Sequence, residues 1–158
     1  MEDIKRIESV YTRNKNERLI SAVKGANFTD VAKLIKSGAD IDTRDIFGRT
    51  PLIYAVMKGN VNFVKKLIKY KPNVNMQDSQ GRTALMYAVM KGNIDIVNEL
   101  IKNGANVKMR NVHGQTAIMY AKFEHCNDII DILEKNNNLD NISKANKDFN
   151  IDEVEKSF

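Results

Sequence analysis

Cysteine is almost missing from this sequence. Cys126 is the only one among 158 residues, so the chain cannot build an intramolecular disulfide framework. A zinc site made from several thiolates is excluded for the same reason, and a reducing compartment suits the composition. Two prolines and eight glycines leave no material for a long flexible linker. No apolar run approaches the length that spans a bilayer, and the opening stretch Met1-Glu2-Asp3-Ile4-Lys5-Arg6 lacks the apolar core of a secretory signal. The expected location is cytoplasmic, with export as an effector left open.

Histidine is scarce too. His113 and His125 are the two present, and their separation fits no metal-ligand spacing. No Gly-Lys-Ser/Thr sequence occurs, the carboxylates are scattered, and adjacent His125 and Cys126 do not face each other on a helix. The sequence therefore predicts no catalytic residue, no cofactor and no metal site, and the protein is not expected to be an enzyme. What remains is a soluble folded composition, 42% hydrophobic and 28% charged. The net charge of +5 is unevenly spread. Residues 48–80 carry six Lys/Arg against Asp78, whereas residues 134–158 carry four Lys against six Asp/Glu. A basic middle and an acidic tail favour an acidic partner without identifying one, and a merely solvated face is the plainer reading.

The abundant feature is repetition. Gly48-Arg-Thr-Pro-Leu-Ile-Tyr-Ala-Val-Met-Lys-Gly-Asn60 is nearly copied by Gly81-Arg-Thr-Ala-Leu-Met-Tyr-Ala-Val-Met-Lys-Gly-Asn93, and Gly114-Gln-Thr-Ala-Ile-Met-Tyr-Ala121 begins it again. Both offsets, 81 − 48 and 114 − 81, equal 33 residues, a period that signals stacked helical units. Within a unit, Thr50 is an N-cap and Pro51 suits the first helical position. Gly59 and Gly92 close the first helices, and Gly38 and Gly104 close second helices, where the second unit has Lys71-Pro72 as a breaker. Val61, Val64, Leu67 and Ile68 match Ile94, Val97, Leu100 and Ile101 and also Phe28, Val31, Leu34 and Ile35, which marks them as core. The stretches 40–45, 73–78 and 106–111 combine one inward apolar residue with polar turn formers and predict hairpin-like loops.

Gly-x-Thr-Pro-Leu at 48–52, Gly-x-Thr-Ala-Leu at 81–85, Gly-Ala-Asp at 38–40 and Gly-Ala-Asn-Val at 104–107 share one register. On these residues the chain resembles an ankyrin repeat protein. The resemblance implies an all-α solenoid of helix-turn-helix units with hairpin-like loops, here four units at 15–47, 48–80, 81–113 and 114–140. Ile4, Ile7, Val10 and Tyr11 lie at helical spacing, so residues 1–14 are expected to hold a capping helix over the first unit. Residues 141–158 read as a polar tail, a cap or a partly disordered end, with Phe149, Ile151, Val154 and Phe158 as apolar anchors among acidic residues. Ile53, Met86 and Met119 stand where the family commonly has a histidine, which suggests packing between units in place of a hydrogen-bond network.

Equal positions of successive units stack into ladders. Tyr54, Tyr87 and Tyr120 form one, Met57, Met90 and Phe123 a second, and Lys58, Lys91 and Glu124 a third. The resemblance places all three in the groove that binds other proteins, together with loop residues Arg44, Phe47, Arg49, Gln77, Gln80, Arg82, Arg110 and His113. The tyrosines serve equally as filling between units, whereas methionine and phenylalanine suit a binding surface better than a solvated one. The expected function is noncatalytic binding of another protein through an apolar, partly acidic segment, seated mainly on units two and three. Nucleic-acid binding by the basic centre is a weaker alternative, and a structural spacer or self-associating subunit is another. No membrane contact is expected, and a monomer is, with the acidic tail as a route to self-association.

Overall fold

A computed structural model of the chain describes residues 2–148, and the tail anchors from Phe149 onward lie outside the described residues. Its eight helices run in order α1 (Glu2–Lys24), α2 (Phe28–Lys36), α3 (Pro51–Lys58), α4 (Val61–Ile68), α5 (Ala84–Met90), α6 (Ile94–Lys102), α7 (Ala117–Phe123) and α8 (Asn127–Asp148). They stack in two rows. The first helices α1, α3, α5 and α7 contact one another in sequence, and the second helices α4, α6 and α8 do the same behind them. Between units the chain projects as hairpins, with an isolated antiparallel bridge from Gln77 to Thr83.

Local chemistry sets the helix limits. The Thr50 hydroxyl accepts the Ile53 N–H at 3.2 Å and Thr83 accepts that of Met86 at 3.3 Å, each satisfying a donor that an α-helix leaves open. Asn60 and Asn93 cap α4 and α6 in the same way. The ends of the first helices need a left-handed residue, and Ala26 and His125 adopt that conformation (φ 53° and 55°) where the middle units have glycine. Lys71 does likewise at φ 55°, so the second unit closes α4 with a left-handed lysine and not through Pro72 alone.

The separate cap expected over residues 1–14 is not a separate element: α1 is one helix of 23 residues that includes the first helix of unit one. The reason lies in the sequence. Lys15 and Glu17 replace the glycine and threonine that elsewhere turn the chain and cap a new helix, so nothing interrupts the helix there. Nor does the apolar stripe cover the first unit, since Ile4, Val10 and Tyr11 are exposed.

The core runs the length of the stack. Leu52, Ile53, Ala55 and Val56 of α3 and Leu85, Met86, Ala88 and Val89 of α5 are fully buried. Ile53 and Met86 thus pack between units as expected, but Met119 is 48% exposed because among the described residues no further first helix stacks on α7. On the second helices the buried stripe is Phe63, Val64, Leu67 and Ile68, repeated by Ile96, Val97 and Leu100 and ended by Ile129 and Leu133. Val61 and Ile94, expected in the core, sit at the first helical position and stay partly exposed. Val74 and Val107 turn inward from the loops.

Candidate functional site

The first helices and the hairpins meet along one face, and the predicted contact residues divide there into two groups. One group is bound up in the scaffold. The Asp45 carboxylate accepts the backbone N–H groups of Phe47 and Arg49, each at 2.9 Å, and the hydroxyl of Tyr54. Asp78 repeats this with Gln80, Arg82 and the Tyr87 hydroxyl at 2.6 Å, whereas at Asn111 the Oδ1 accepts the His113 and Gln115 N–H groups and the Nδ2 donates to the Tyr120 hydroxyl at 2.7 Å. Each loop is therefore folded around one Asp or Asn and tied to a tyrosine of the unit that follows it. Tyr54 and Tyr87 are buried as a result, and Tyr120 is half-buried. The sequence left the tyrosines open between filling and contact, and in the two middle units they fill.

The arginines join the tyrosines. The Arg49 guanidinium lies 5.3 Å from the Phe47 ring centre and 5.9 Å from that of Tyr54. Hydrogen bonding to Tyr54 raises the pKa of Arg49, and hydrogen bonding to Tyr87 does the same for Arg82, each against the opposing effect of burial. Burial first, and then the bond to Asp78, raises the pKa of Tyr87. For Asp45, burial pushes the pKa up, but the hydrogen bonds from Tyr54, Arg49 and Phe47 and the charge of Lys24 outweigh it and lower the net value. Lys24 lies 4.0 Å from the Asp45 carboxylate and 4.3 Å from the centre of the Tyr54 ring. Arg44, Gln77 and Arg110 serve the hairpins too, donating to Gly48 O, Gly81 O and Gly114 O respectively.

The second group stays accessible. Phe47 is 54% exposed at a hairpin tip, Met90 is 37% exposed on α5 and Phe123 is 78% exposed on α7, while Met57 is half-buried. Lys58, Lys91, Gln80 and His113 are exposed among them. At the N-terminal end this face deepens into a cleft of about 1030 Å³ between α1 and the first hairpin, with Ile20, Lys24, Ile46 and Phe47 in its wall. Sequence reasoning missed Ile46 and Val112, which are 90% and 60% exposed. Their signal was an apolar residue at a hairpin tip where the middle unit has Ser79. Of the six cations in residues 48–80, Lys65, Lys66, Lys69 and Lys71 belong to α4 and its end, in the second row of helices.

Among the described residues no group of His, Cys, Asp and Glu is placed to hold a metal ion, and no helix is long and apolar enough to cross a membrane. No curated protein matches the chain. A family model for ankyrin repeats (3 copies) matches residues 19–111, which spans the two most regular units and the intact hairpins around them. The chain belongs to the ankyrin repeat family, whose repeats generally serve as protein–protein interaction modules.

Proposed function

We propose that the protein is a noncatalytic binding module that grips an apolar, partly acidic segment of another protein along the face of its first helices. The observation that carries this reading is the row of Met57, Met90 and Phe123, one per unit, half-buried at Met57 and open at Met90 and Phe123, beside Lys58 and Lys91 in an otherwise closely packed scaffold. Methionine adapts to an irregular partner surface, and an exposed aromatic supplies an anchor. The lysines supply long-range attraction for carboxylates and thereby a faster encounter. The segment sits mainly on units two and three, where Lys58 and Lys91 accompany the row.

Arg49 and Arg82 are bound up with the scaffold tyrosines, so the discriminating variant keeps them and removes the row itself. A Met57→Ala/Met90→Ala/Phe123→Ala chain should lose at least about ten-fold in affinity for any partner recovered by the wild type. An unchanged affinity, with the circular dichroism spectrum retained, would rule this face out as the binding site.

A further inference from the structure

Inside the stack, each hairpin is joined to the next in a register of 33 residues. The Ser79 N–H donates to Phe47 O at 2.9 Å, and the Val112 N–H donates to Gln80 O at 3.0 Å. Alongside, Arg44 Nη2 donates to Gln77 O at 2.6 Å and Gln77 Nε2 to Arg110 O at 2.8 Å. Advancing one period from Gln80 and Gln77 reaches His113 O and the Arg110 side chain. There the series stops, since no fourth hairpin follows among the described residues. Stepping back one period from Ser79 and Gln77 reaches the Ile46 N–H and Arg44 O. These have no hairpin before them, because α1 runs through as helix and leaves the cleft of about 1030 Å³ in its place.

The close approach between hairpins has a second signature. A Cβ on Gly48 would fall 2.9 Å from Ser79 N, and one on Gly81 would fall 2.8 Å from Val112 N. Gly114 has the same conformation, at φ 74°, with nothing within 4 Å of the corresponding point. Apolar side chains also remain uncovered at both ends. Val112, Met119 and Phe123 lie at the C-terminal end, and Val10, Tyr11 and Ile46 at the other.

We propose that two copies of this chain dock head to tail, the last hairpin of one entering the N-terminal cleft of the next and continuing the internal register. Ile46 N–H then donates to His113 O of the second copy, and Arg110 of that copy donates to Arg44 O. The occupant is a second copy because each end holds one half of the interface that the interior repeats twice. Such a contact is heterologous, so it leaves a free end and extends beyond a dimer.

Sedimentation of the full chain from about 1 μM to 1 mM, a range suited to a small interface, tests this. The mean mass should rise with concentration past the dimer. Gly114→Ala should weaken association about ten- to hundred-fold, because its Cβ would meet the incoming backbone. Gly104→Ala bears a similar left-handed strain, at φ 88° with nothing within 4 Å, and should associate as the wild type does. In a Cys126→Ser background, an Ile46→Cys chain mixed with a His113→Cys chain should form a disulfide-linked heterodimer. A wild type that stays monomeric throughout overturns the proposal, as does a mass that stops at the dimer, a Gly114→Ala chain that assembles unchanged, or cross-linking only between identical positions. Circular dichroism melts of each variant establish that it is folded, so that a lost association is read as a lost contact.

Discussion

Replacing Gly81 and Gly114 by alanine, one at a time, separates backbone strain from hairpin stacking. Both residues are left-handed, at φ 69° and 74°. Alanine pays roughly 1–2 kcal/mol for that conformation, partly offset by roughly 0.4–1 kcal/mol because the unfolded chain has less freedom to lose. Gly114→Ala, with open space around its Cβ, should therefore cost about 1 kcal/mol. Gly81→Ala meets the same strain and three backbone atoms of the next hairpin, at 2.8 to 3.0 Å from the new Cβ. The hairpins must separate, which adds about 1–3 kcal/mol of steric cost and weakens the bond from Val112 N–H to Gln80 O. The expected total is about 3 kcal/mol, so the two variants should differ by about 2 kcal/mol. Urea denaturation followed by circular dichroism, at about 1 μM chain to keep association out of the measurement, gives both values. Equal midpoints and slopes for the two variants would refute the claim that hairpin contact, and not conformation alone, fixes glycine at position 81.

The opposite substitution should stabilise: His125 holds a left-handed conformation at φ 55° where the middle units have glycine, so His125→Gly should gain about 0.5–1 kcal/mol and raise the melting temperature by about 1–4 °C. A melting temperature that falls would show that the His125 side chain supports the helix end. Acid should weaken the fold through Asp45, whose folded pKa lies below the ordinary 3.8. Its contribution is complete above that value and is lost as pH falls through the folded one. Asp45→Asn should accordingly flatten the acid limb of a stability-versus-pH curve below about pH 4, and an unaltered limb would remove Asp45 from the account.

Much of this was legible because a repeated unit encodes its own local structure. Thr50 and Thr83 cap their helices through contacts three residues away, and the inward positions of α3 and α5 follow from helical spacing. The α1 helix was misread because two absences, of glycine at Lys15 and of threonine at Glu17, removed a break that the other units have. Val61 and Ile94 were misplaced for a related reason. Periodicity gives the direction of a side chain but not whether a partner covers the first turn of the helix.

The sequence by itself determined the family and most of the core, since these depend on a period and on contacts between residues near in the chain. Only the tertiary structure decided what each rung of a ladder does. Tyr87 is closed off by Asp78 and Arg82, whereas Met90, three residues on, remains open to a partner. Met86 is buried and its equivalent Met119 is not, although both are methionines at the same point of the repeat. The physical reason is that burial at a repeated position is supplied by the next unit, so identical residues become core in the interior of the stack and stay exposed at its end.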